Sequence, residues 1–155
     1  RGLAHYLQQP KGRLYQYTCD AALGDARCGV DLDSPTYKAN VSVVSVTSAR
    51  KFSVSGAGGY GNGFFSRGLA RFTSGSSAGL KMEIKAHVER GSTVSIELWG
   101  EVQGAPQPGD TLTLTAGCDK LIGTCQARFA NAPNFRGFPD MPGNDFVTRV
   151  ARQSK

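Results

Sequence analysis

A chain of 155 residues is long enough for one domain with a hydrophobic core of its own, and four cysteines are too few for a scaffold that folds on disulfides alone. The formal charge of +6 admits an acidic partner, yet the cations are scattered between Arg13 and Arg149 instead of lining one stripe with aromatics, which argues against sequence-specific nucleic-acid binding. No apolar run approaches the ~18 residues of a membrane span, and RGLAHYLQQPKGR lacks the apolar stretch of a signal peptide.

In chain order, Leu3, Tyr6 and Leu7 sit at helical spacing and predict a short N-terminal helix. The segment YTCDAALGDARCGVDL follows, with Cys19 and Cys28 among small and acidic residues. YKANVSVVSV and KFSVS are rich in β-branched residues and read as strands, and GLARFTSG gives a third. LKMEIKAHV alternates, setting Leu80, Met82, Ile84, Ala86 and Val88 on one face against Lys81, Glu83, Lys85 and His87 on the other. Val94, Ile96 and Leu98 continue this pattern in STVSIELWG, as do Leu112 and Leu114 in DTLTLTAG. Turn chemistry separates these runs at 75–79, 89–92 and 103–110. Six short antiparallel strands predict a mainly β fold, a barrel or sandwich over residues 36–116, inserted into a cysteine-bearing frame formed by 1–35 and 117–155. In that frame CDKLIGTCQARFAN predicts a second short helix carrying Leu121, Ile122, Cys125 and Phe129. Phe135, Phe138 and Met141 lie in an irregular tail expected to wrap the core and bury them, the alternative being a lid over the cysteines or a contact to another subunit.

Few motifs speak for catalysis. Gly56, Gly58 and Gly61 match a dinucleotide-binding fingerprint, but the chain goes on to more strands where that motif needs a helix, so a mobile glycine loop is expected. His87 on the polar face of its strand reads as solvated, His5 is undecided between core and surface, and the carboxylates are dispersed; no nucleophile or acid–base pair is visible and no enzyme is expected.

The cysteines are the signal above this background. Cys19 and Cys28 enclose eight residues, Cys118 and Cys125 enclose six, and each pair opens Cys-Asp with a glycine a few residues on. Those spacings are wide for a zinc knuckle, whereas an iron–sulfur cluster accepts looser loops whose amides donate to sulfur. On chemistry alone a cluster, two disulfides, a zinc site and free thiols all stay open. A secreted or particle-surface adhesive or carbohydrate-binding domain is the reading that goes with disulfides.

GRLYQYTCDAALGDARCGVDL followed by GCDKLIGTCQARFANAPNFRGFPDMPGND resembles the C-terminal region of tail-tip hub proteins of phages and gene transfer agents. It is also similar to the iron–sulfur domain of the phage lambda minor tail protein L family, in which four cysteines with these two spacings hold a [4Fe–4S] cluster. The departure is the long stretch between Cys28 and Cys118. The resemblance implies that Cys19, Cys28, Cys118 and Cys125 are cluster ligands in a structural tail-tip component, assembled in the bacterial cytoplasm and carried in the particle. It further implies a homotrimer, contacts with other tail-tip proteins such as the distal tail protein and a central fibre, and passage of DNA without sequence-specific binding.

Overall fold

The computed structural model describes residue 12, residues 15–91 and residues 93–141. The expected N-terminal helix with Leu3, His5, Tyr6 and Leu7 lies outside them. Six strands form: β1 (Lys38–Ser48), β2 (Lys51–Ser55), β3 (Leu69–Phe72), β4 (Lys81–Arg90), β5 (Thr93–Leu98) and β6 (Thr111–Thr115). Every pairing is antiparallel, in the order β1-β2-β5-β4-β3-β6, and β6 pairs with both β3 and β1. The sheet is therefore a closed barrel, which leaves no edge strand to be covered.

Alternation explains the core. Phe52 and Val54, Val94, Ile96 and Leu98, and Leu112 and Leu114 point inward and are essentially buried, with Phe72 and Ile84 between them. Register sets Phe52 opposite Ile96 and Ala70 opposite Leu114, and the Phe52 and Phe72 rings lie 6.1 Å apart. Burying each such side chain contributes about 1.5–3 kcal/mol. Leu80 falls just before β4 and is exposed, and Met82 is only partly buried, so the expected core shrinks at that end.

The expected solvated face of β4 is also corrected. A bulge between Ile84 and Ala86 adds a residue on β4 opposite β5 and reverses the alternation beyond it. His87 consequently points inward, 2% exposed, with its ring edge-on to Phe65 at 5.1 Å, while Val88 faces out.

The glycine loop after β2, expected to be mobile, has partners within the chain. The amides of Gly59 and Gly61 donate to the two carboxylate oxygens of Glu89 at 2.8 and 3.0 Å, and the Tyr60 hydroxyl donates to the carbonyls of Pro35 and Lys38. Tyr60, Phe64, Phe65 and His87 thus stack into one end of the barrel.

The second expected helix is present as α1 (Ile122–Phe129), which buries Cys125 and Phe129, one turn apart on one face. Among the described residues no helix is long and apolar enough to cross a membrane.

Candidate functional site: four cysteines on one cavity

Cys19 and Cys28 sit in an irregular segment held by its own acids. The Asp25 carboxylate accepts the amides of Cys28 at 2.7 Å, Arg27 at 2.9 Å and Ala22 at 3.1 Å. The Cys28 amide above all holds the Asp25 carboxyl below the usual aspartate range. Arg27 then reaches Asp20 and Asp25, each at 3.4 Å, closing the loop on itself.

Cys118 and Cys125 flank the start of α1. The Asp119 carboxylate accepts the Leu121 amide at 3.0 Å and the Thr124 hydroxyl at 2.7 Å, which fixes the first helical turn without a regular N-cap. At the other end Ala130 takes a left-handed conformation and the Asn131 amide donates back to the Cys125 carbonyl at 3.1 Å. Arg128 anchors the helix to the barrel, donating to the carbonyls of Phe64 at 3.1 Å and Gly117 at 3.0 Å with its guanidinium over the Phe64 ring. A side chain at Gly117 would collide with the Ser66 carbonyl, so only glycine permits this junction.

The barrel brings the two segments together because Lys38, at the start of β1, pairs with Thr115, at the end of β6. All four cysteines line one small cavity of about 20 Å³, with Ala21, Leu23, Val30, Phe129 and Phe135 completing most of its apolar wall. The four are free thiols; Cys28 and Cys125 are buried and Cys19 and Cys118 half-buried. Burial pushes the Cys118 thiol up, and burial followed by the three neighbouring cysteines does the same to Cys125. Among the described residues no group of three or more His, Cys, Asp or Glu is set to grip a single metal ion.

Sulfur-directed donors surround the cavity. The Lys120 amide donates to Cys118 Sγ at 3.3 Å, the Arg136 amide to Cys19 Sγ at 3.4 Å, and Asn131 Nδ2 toward Cys28 Sγ at 3.7 Å. The Cys125 thiol donates to the Asn131 carbonyl at 3.3 Å. The Cys19 amide donates to the Lys120 carbonyl at 2.9 Å, and Lys120 Nζ reaches the Ala21 carbonyl, so the two segments are stitched by backbone as well.

Lys120, Asn131, Asn134 and Arg136 were not legible as site residues. The Gly-containing loops were expected to turn amides toward sulfur; Lys120 in the 119–125 loop does so to Cys118, whereas Cys19 and Cys28 are met by Arg136 and Asn131 from outside both loops. Of the tail, Phe135 lines the cavity, whereas Phe138 and Met141 stay 37% and 36% exposed, so the expectation that all three are buried in the core does not hold. Gly137 passes so close to Thr18 that a Cβ there would lie 2.7 Å from its carbonyl oxygen, and the Phe138 amide donates to Gln16.

Residues 63–145 match the family model described as phage conserved hypothetical protein BR0599, and residues 1–31 match one described as the N-terminal attachment domain of a baseplate hub protein. The whole chain is similar to a chain in the solved structure of the virion of a native gene transfer agent particle, at 35% identity and a TM-score of 0.78. It spans 53% of that longer chain. No curated protein matches.

Proposed function

This chain belongs to the phage conserved hypothetical protein BR0599 family, and we propose that it is a structural component of a phage-like tail tip, placed at the hub or baseplate, that holds a [4Fe–4S] cluster on Cys19, Cys28, Cys118 and Cys125. The place in the particle rests on the likeness to the gene transfer agent chain and to the hub attachment domain. Its partners are other tail-tip proteins, the distal tail protein and a central fibre among them, and its assembled state is a homotrimer. DNA passes without sequence-specific contact, and the role is non-enzymatic.

One observation carries the cluster: four thiols from two segments far apart in the chain line a single cavity. The similarity of their spacings to the iron–sulfur domain of the lambda minor tail protein L family supports it. The donor set fits, because four thiols line the cavity and amides aimed at sulfur stabilise electron-rich thiolates. The volume of about 20 Å³ admits about one water, so binding requires the irregular segments to move apart. When bound, the cluster supplies a four-point cross-link and an electron-accepting centre. Cys28 and Cys125, which are buried, would hold it from the interior, and Cys19 and Cys118, which are half-buried, from the side nearer solvent.

Iron and acid-labile sulfide measured on protein made and purified without oxygen test this. About four of each per chain are expected, with loss of both in Cys118→Ser. Wild-type protein that takes up neither after reconstitution sinks the cluster and leaves the tail-tip role standing. Four cysteines blocked to thiol reagents in the denatured chain would point instead to a disulfide-bonded surface domain.

A further inference from the structure

Asn131 touches both buried cysteines, one through its side chain and the other through its backbone. Nδ2 donates to the Cys28 carbonyl at 2.6 Å and lies 3.7 Å from Cys28 Sγ. Its orientation is fixed, because Oδ1 accepts a hydrogen bond from Asn134 Nδ2 at 2.7 Å, which leaves only the amino group to face Cys28. Its main-chain amide donates to the Cys125 carbonyl and its main-chain carbonyl accepts from the Cys125 thiol. The left-handed turn at Ala130 is what delivers Asn131 to this position directly after α1.

We infer that Asn131 is a positioning residue of the cysteine site: it ties Cys28 to Cys125 across the two halves of the frame and supplies the hydrogen bond nearest to the Cys28 sulfur. The tie stands on the contacts alone, whereas its effect on a bound cluster rests on the cluster reading above. Without the carboxamide, the Cys28 carbonyl loses the short hydrogen bond that Asn131 gives it, and the loop has reason to turn away. An N–H directed at a ligand sulfur draws electron density from it and raises the cluster's reduction potential, so its loss lowers that potential.

Asn131→Ala and Asn134→Ala test the inference. In anaerobically loaded protein with wild-type iron and sulfide content, Asn131→Ala is expected to release iron to a chelator about 10-fold faster or more and to have a more negative reduction potential. In unloaded protein, Cys28 is expected to be alkylated faster by iodoacetamide, with little change at Cys19, as mapped by mass spectrometry. Asn134→Ala leaves the carboxamide in place but free to rotate, so the same changes are expected at smaller size, and this variant serves if Asn131→Ala does not fold. Unchanged iron release, potential and Cys28 labelling overturn the inference, as does equal acceleration at Cys19 and Cys28, which signals general loosening. If wild-type protein binds no iron, the cluster reading fails by itself and the labelling comparison still decides the tie.

Discussion

Lys120 and Ala130, with φ of +67° and +47°, are two of only four non-glycine residues with left-handed backbone among those described; Lys120 lines the cysteine cavity and Ala130 caps α1 between two residues that line it. Such conformations cost of order 1–3 kcal/mol each, and persist where the surroundings over-determine them. Here the surroundings are the hydrogen bonds of Lys120 to Cys118, Cys19 and Ala21 and the cap of α1. His87 shows a different cost at the same scale. Neither ring nitrogen has a hydrogen bond of good geometry, and burial lowers its pKa below 6.5, opposed by Glu89 and the Gly61 carbonyl and helped by Arg128. The folded state thus favours the neutral ring. Above the unfolded value of 6.5 nothing is lost; as pH falls through it, the unfolded chain takes up a proton that the native chain refuses. Urea unfolding is therefore expected to show stability declining below pH 6.5, by at most about 1.4 kcal/mol per pH unit until the native ring protonates. His87→Leu is expected to remove that part of the slope whatever it does to the absolute stability. An identical pH profile in the variant would show that His87 is not responsible.

The strands were the legible elements, because period-two alternation records which side of a pleated strand meets the core, as Val94, Ile96 and Leu98 do in β5. What alternation cannot record is a bulge, since one extra residue leaves the pattern looking regular while reversing which face is inside; His87 was misassigned for this reason. The cysteines could be singled out by residue type, but Asn131 and Lys120 could not, because their roles arise from chain segments a hundred residues apart that meet only after the barrel closes. Helix α1 was legible from its apolar spacing, yet its attachment was not. At eight residues it is too short to persist alone and depends on what it packs against. Arg128 is the strongest single tie, with two carbonyls and an aromatic face. Arg128→Ala is expected to cost about 1.5–3 kcal/mol, and Arg128→Lys to recover part of it, because both carbonyls are bound by the single Nη1, which an ammonium can replace, while the flat guanidinium over Phe64 is lost. Hydrogen exchange should place the loss in α1 and the adjoining Phe64 carbonyl region; equal protection of α1 in wild type and variant would show the tie to be dispensable.

At the scale of the whole molecule, a link between Cys28 and Cys118 spans a long stretch of sequence but a short stretch of structure. The barrel is closed without the frame, and Lys38 already pairs with Thr115, so once the strands form only roughly a dozen residues remain between the two cysteines outside the sheet. Cross-linking through the proposed cluster would therefore restrict the frame and add little to the barrel. For a loop of about 15 residues, chain-entropy arguments give a single cross-link about 3 kcal/mol, which corresponds to about 100-fold in a local opening equilibrium. Relative to anaerobically loaded wild-type protein, Cys118→Ser, which loses the cluster, is expected to exchange amides in the frame, such as those of Cys19, Cys28, Cys125 and Phe138, faster by at least about that factor. Strand amides at Phe52, Ile96 and Leu114 are expected to keep their protection. Binding energy at the cysteines would then be folding energy for the frame alone, leaving a pre-formed barrel whose attached segments are set only when the ligands are satisfied. Loss of strand protection together with the frame would show instead that barrel and frame unfold as one cooperative unit, and unchanged exchange in both would show that the cysteines contribute no cross-link.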